Sequence, residues 1–239
     1  MLNGYYNKLL AVLGEIKDTQ NEKIMAAAEM VAETIKNDGI IYIFGCGHSH
    51  LLGLDCFYRA GGLVNVSAML DTDLMLHNGA AKSSKMEKMS GIAESIFERY
   101  CLTEKDVIIV ISTSGKNAVP VEMAKVARAN GIKTIGLCSS HYFDAKTKDE
   151  MLYGNCDIYI DNCVPHGDAV MDITNADTKM GSLSTAAGSF ILQALLLEAA
   201  EKAAKEGAKV PIYKSGNVKG GSEFNKKLIA EYMPRIKHL

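Results

Sequence analysis

Two short apolar runs, each cut off by a turn-forming sequence and followed by a helical pattern, constrain this chain more than any other feature. Ile40-Ile41-Tyr42-Ile43-Phe44 runs into Gly45-Cys46-Gly47, and Val107-Ile108-Ile109-Val110-Ile111 runs into Ser112-Thr113-Ser114-Gly115-Lys116-Asn117. A continuous β-branched run with no polar alternation suits a strand buried on both faces, as in a parallel sheet covered by helices. The pattern then repeats. Asn117 to Asn130 reads as helix, with Pro120 acceptable only in its first turn, and Gly131 ends it. Ile132 to Cys138 reads as a third strand and Asp157 to Ile160 as a fourth. Strand, turn, helix and strand at this rhythm imply right-handed βαβ crossovers and a parallel sheet. The expected fold class is α/β, a three-layer sandwich.

Tyr5 to Lys36 reads as helix, broken near Asp18-Thr19-Gln20-Asn21, and a helix is expected from about His50 to Ala60, stopped by Gly61-Gly62. Leu183 to Lys205 is a long helix, apolar around much of its circumference, as a buried or subunit-facing helix is. Lys209 to Gly221 reads as loop and Glu223 to Ile236 as a last helix. With no repeat or linker in view, residues 1–239 are expected to form one domain, with a helical extension over about residues 1–38 and a helical C-terminal tail.

Basic and acidic residues nearly balance, 26 against 28, so there is no long-range field to draw in nucleic acid or an anionic membrane. An anionic ligand must be held by local dipoles and hydroxyls. None of the six cysteines stands in a C-x-x-C pair, and several lie in apolar runs, which reads as reduced thiols in a cytoplasmic protein. Met1 to Tyr6 lacks the pattern of a secretory leader, and no apolar run approaches the roughly 20 residues that span a bilayer. No membrane, nucleic acid, metal or cofactor is therefore expected as a partner.

In an open parallel sheet, ligands sit beyond the carboxyl ends of the strands. The turn Ser112 to Asn117 offers three consecutive hydroxyls and a glycine at a helix N-terminus. Hydroxyls donate to phosphate oxygens, free N–H groups of a first helical turn point the same way, and the dipole favours an anion. Ser and Thr also cap helices, but one cap needs one hydroxyl. Three hydroxyls plus Asn117 exceed that need. Gly45-x-Gly47 holds two glycines of a dinucleotide fingerprint, yet His50 stands where the third belongs, and no Gly-Lys-Ser/Thr of a Walker loop follows.

These residues carry a resemblance. Gly45-x-Gly47-x-Ser49 after one strand and Ser112-x-Ser114-Gly115-x-Asn117 after a later one resemble the sugar isomerase (SIS) domain family. More narrowly, Phe44-Gly45-x-Gly47-His48-Ser49-His50, Phe57-Tyr58-Arg59-Ala60-Gly61-Gly62-Leu63, Leu74-Met75-Leu76-His77-x-Gly79-Ala80, Ser114-Gly115-x-Asn117 to Ala124, and Ser184-Thr185-x-Ala187-Gly188 resemble its UPF0309 group. The resemblance implies a central five-stranded parallel sheet, a phosphorylated sugar as ligand, and homodimers or homotetramers with sites near subunit contacts. It assigns Ser112, Thr113, Ser114 and Asn117 to a phosphate clamp, Ser49 to its support and His48 to sugar hydroxyls. The glutamate that acts as acid/base in phosphoheptose isomerases and muramic acid phosphate etherases falls here on Arg59, which cannot abstract a proton.

A base must then come from elsewhere. Asp55, one helical turn before Arg59, either faces the same cleft or pairs with Arg59. His77 in Leu76-His77-Asn78-Gly79 and His166 in Pro165-His166-Gly167-Asp168 have the right intrinsic pKa for proton transfer near neutrality. His48 and His50, with Asp168 or His166, would be the only set suited to zinc, and no ligand spacing supports it. The reading that results is an isomerase or epimerase that removes a proton next to a sugar-phosphate carbonyl. The alternatives are a sugar-phosphate lyase or etherase, a non-catalytic sensor, and a structural oligomer with a vestigial site.

Overall fold

The computed structural model describes residues 1–144 and 146–239. At its centre lie β1 (Ile41–Gly45), β2 (Val66–Met69), β3 (Val107–Ile111), β4 (Lys133–Cys138) and β5 (Ile158–Asp161). They form one parallel sheet in the order β2-β1-β3-β4-β5. The order reverses direction between β1 and β3, which makes the carboxyl ends of those two strands the topological switch point.

Alternate strand residues feed two separate cores. Ile41, Ile43, Val107 and Ile109 join the side chains of α1 (Leu2–Thr19), α2 (Asn21–Lys36), α3 (His50–Cys56) and α7 (Ser184–Lys205). Tyr42, Phe44, Ile108 and Val110 face the other way, onto α5 (Ala93–Glu98), α6 (Ala118–Ala129) and α8 (Gly221–Tyr232). The period-2 alternation of a strand thus serves two apolar layers at once, so every position reads as hydrophobic. α7 packs along α2 with Ile191, Leu192 and Leu195 fully buried, while Leu197 is 67% exposed. No helix of the described residues is long and apolar enough to cross a membrane. All six cysteines are free thiols.

The four strands read from the sequence agree with the structure to within one residue at each end. β2 was not legible: Val-Ser-Ala-Met carries a single β-branched residue. Nor was the short antiparallel pair β6 (Ala169–Met171) and β7 (Met180–Ser182), which leads into α7. The helix expected to reach Ala60 stops at Cys56. Phe57 turns extended, Tyr58 takes a positive φ of 50°, and the chain is drawn onto the C-terminal segment. There Gly61 N–H donates to Tyr213 O, Tyr213 N–H to Gly62 O, and Val64 N–H to Pro211 O. These bonds satisfy a backbone that a longer helix would have had to satisfy itself.

Candidate functional site

The two turns that the sequence marks out leave the adjacent strands β1 and β3, side by side at the switch point. Gly45 closes the first turn tightly: a Cβ built there would lie 2.7 Å from the backbone carbon of Ser49. The second turn is fixed from within and from below. Gly115 N–H donates to Ser112 Oγ at 3.2 Å, and Gly115 adopts φ of +61°, a conformation that costs other residues energy. Ser112 N–H donates to Leu137 O and Ser139 N–H to Thr113 O, which lock the turn to the end of β4.

Ser112, Thr113, Ser114 and Asn117 are each half-buried. Ser112 Oγ accepts from Gly115 and so keeps its own proton for a ligand. Thr113 Oγ1 accepts from Asn162 Nδ2 at 3.4 Å and keeps its proton likewise. Asn117 stands at the N-cap of α6 in extended conformation, yet its side chain makes no capping bond. The helix end differs from expectation in one respect. Val119 N–H donates to the carbonyl of Glu87 at 3.1 Å, and Pro120 has no N–H to give. The first turn of α6 therefore offers fewer donors than a typical helix N-terminus, and the weight of anion binding shifts onto the turn itself.

Two further loops close in from β4 and β5. Tyr142 lies against the ring of His166, centroids 4.5 Å apart and 28° between planes, and its hydroxyl accepts from Gly167 N–H at 2.8 Å. Lys116 Nζ sits 5.8 Å from the centroid of the same tyrosine. His166 thus shares Tyr142 with Lys116 of the hydroxyl turn, its imidazole exposed but oriented by the stack. Asp168, two residues on, accepts from Leu183 N–H, Ser184 N–H and Ser184 Oγ, and so anchors the start of α7.

On the first turn, His48 is exposed and Ser49 half-buried, with no capping bond from its side chain. His50 is buried, its Nδ1 against Gly47 O. His77 is exposed and meets His50 edge-on, ring centroids 6.0 Å apart. Asp55 faces α7 and Arg59. Its carboxylate pairs with Arg59 and accepts from Ser189 Oγ at 3.0 Å and Gln193 Nε2 at 3.3 Å. His77 and His166 therefore flank different turns, and Asp55 holds α3 to α7. Among the described residues, no three His, Cys, Asp or Glu side chains gather as metal ligands.

Glu87 was not legible in the sequence. It follows α4 (Ala80–Met86), a short helix held by Ser83 Oγ donating to Leu74 O and by the Lys82–Asp73 pair. α4 packs on the 3-10 turn Gly47–Ser49. Burial pushes the Glu87 carboxyl above its ordinary value, opposed by a hydrogen bond from the Asn117 side chain and by Lys88. Cys46 feels the same carboxylate: burial first, then Glu87, raise its thiol. Glu87 thus stands between the first turn and the second. It lies in a charged, aperiodic stretch, Lys85-Met86-Glu87-Lys88, with no motif to flag it.

A cleft of 520 Å³ lies at the opposite edge of the sheet, lined by Ile40, Tyr42, Arg99, Tyr100 and Asp106 and roofed by residues 233–239. Neither it nor the other four clefts described is lined by the hydroxyl turn. Position at the carboxyl edge and polar chemistry single that turn out, not enclosure.

Comparison with known proteins agrees with this fold. The family model described as "SIS domain" matches residues 4–139. A UPF0309 protein of Caldanaerobacter subterraneus is 40% identical over 246 residues, covering 100% of both chains. Among solved structures, a phosphoheptose isomerase from Francisella tularensis superposes with a TM-score of 0.57 at 16% identity, over 84% of this chain and 96% of that one. The sugar isomerase domain of an RpiR transcription factor from Sphaerobacter thermophilus gives 0.51 at 16% identity, over 98% of each chain.

Proposed function

Because this chain belongs to the SIS-domain family, and within it to the UPF0309 group, we propose that it binds a phosphorylated sugar at the β1–β3 switch point and isomerises or epimerises it. The observation that carries the reading is the turn Ser112 to Asn117. It is half-buried, locked to β4, and has the protons of Ser112 and Thr113 still to donate. Hydrogen bonds to a charged group contribute about 1.5–3 kcal/mol each, so three or four hold a phosphate in the millimolar-to-micromolar range after ordering costs. Ser114 and Asn117 complete the clamp, and Ser49 reaches it from the first turn. Lys116, next to Tyr142, adds a positive charge at its rim.

With the phosphate fixed, the sugar extends across the crevice between the turns, where His48, His77 and His166 border it. His166, oriented by Tyr142, is suited to exchange a proton with a carbonyl or hydroxyl oxygen. Binding energy from the phosphate then positions the reacting carbons. Association of copies as a dimer or tetramer fits the apolar side chains that α7 leaves exposed, Phe190 and Leu197. The fold similarity to a phosphoheptose isomerase supports the same ligand class.

The test is a thermal-shift screen of aldose and ketose phosphates at one concentration, followed by NMR of each hit for isomerised product. A ligand that binds only the folded state raises the melting temperature, by an amount that grows with the logarithm of its concentration over Kd. A screen in which phosphorylated sugars and their unphosphorylated counterparts shift the melting temperature equally would remove the phosphate clamp. Hits that are never turned over would leave a sensor.

A further inference from the structure

Arg59 is exposed and pairs with Asp55, and its guanidinium cannot abstract a proton. An enzyme that removes a carbon-bound proton at this crevice still needs a carboxylate or an equivalent base. Asp55 is engaged by Arg59, Ser189 and Gln193. Glu122, on α6 behind the second turn, accepts from Gly91 N–H at 2.8 Å. Glu87 is different in its surroundings and in its support.

Both ends of the segment from Glu87 to Gly91 are fastened to α6. Val119 N–H donates to Glu87 O at 3.1 Å, and Gly91 N–H donates to Glu122. The backbone that carries Glu87 is therefore registered against the phosphate turn itself, since Asn117 and Val119 are only two residues apart. α4, which Glu87 ends, packs on the Gly47–Ser49 turn, so the half-buried Glu87 stands between the first turn and the second. A half-buried carboxylate at the negative end of a helix breaks the local rules of charge placement. Breaches of that kind gather at functional sites.

Resting on the phosphosugar reading above, we propose that Glu87 is the proton-transferring carboxylate of this crevice. The carboxylate takes the hydrogen from the carbon next to the substrate carbonyl. The C–H electron pair becomes the new carbon–carbon double bond, and the carbonyl oxygen takes up a proton to give an enediol. The proton on Glu87 then returns to the former carbonyl carbon, and the neighbouring hydroxyl gives up its proton to become the new carbonyl. The step is redox-neutral overall and needs no co-reactant. Asn117, in the clamp and two residues from the Val119 N–H that binds the Glu87 carbonyl, couples seating of the phosphate to the position of the base.

The experiment follows exchange of the substrate's carbon-bound hydrogen for deuterium in D2O by NMR. Fructose 6-phosphate, glucose 6-phosphate and N-acetylglucosamine 6-phosphate serve as probes, with binding measured in parallel by thermal shift. Full-length wild type is compared with Glu87→Gln and Glu87→Asp. Glu87→Gln is expected to bind the accepted probe within threefold of wild type while its exchange rate falls at least a hundredfold. Glu87→Asp should recover part of the rate with an altered pH profile. Exchange at the wild-type rate in Glu87→Gln overturns the assignment, as does a loss of binding that accounts for the whole loss of rate. Wild type that shifts with a probe yet exchanges nothing overturns catalysis by Glu87 and leaves phosphosugar binding intact. A wild type that no probe shifts overturns both.

Discussion

The carbonyl of Glu87 accepts the backbone N–H of Val119 at 3.1 Å, and this one bond ties the end of α4 to the first turn of α6. It removes a donor from the helix terminus and fixes Glu87 against the first turn of α6 in exchange. Anion binding and proton transfer, if they share this crevice, are thereby held in one rigid frame rather than on separate loops.

Removing the two serine hydroxyls of the clamp should weaken a ligand without unfolding the protein. Ser112→Ala combined with Ser114→Ala is expected to reduce phosphosugar affinity at least tenfold, about 1.4 kcal/mol, by calorimetry. The circular dichroism spectrum should be unchanged, because Ser114 makes no hydrogen bond among the described residues and Ser112 accepts only one. Unchanged affinity would show that the turn is not the clamp.

His166 is held by a stack on Tyr142 and not by burial, so its replacement should affect rate more than structure. His166→Ala is expected to lower kcat about tenfold or more while KM stays within about threefold, in line with the typical contribution of a general acid–base. His166→Phe keeps an aromatic ring on Tyr142 without a titrating nitrogen and should be as slow. Full activity in His166→Phe would mean that only the stack matters.

Glu87 links stability to pH. Burial raises its folded-state pKa above the ordinary value of 4.5. The folded state thus holds this proton more tightly than the unfolded chain. The resulting stabilisation is complete below the unfolded pKa and is lost as pH rises through the folded one. Glu87→Gln, which stays neutral, is therefore expected to melt at the same temperature as wild type or higher at pH 7. The gap should close as the pH falls toward about 4.5. Thermal melts from pH 4 to pH 8 read this directly, and a Gln variant less stable than wild type at pH 7 would contradict it.

The sequence by itself determined the scaffold and marked both of its turns. Ile40–Phe44 and Val107–Ile111 leave no polar face, so they must be covered on both sides, and only a parallel sheet between helix layers does that. The hydroxyl turn was legible because its residue types sit together in the chain. Glu87, Tyr142 and Asn162 were not, because each acquires its role from a partner far along the sequence: Asn117, His166 and Thr113 respectively. The early end of α3 was likewise decided by hydrogen bonds to Tyr213 and Pro211. Hydrophobic periodicity is a local signal and survives in one dimension. Which carboxylate loses its water, and which ring stacks on which, depends on packing between distant segments, and only the folded chain fixes that.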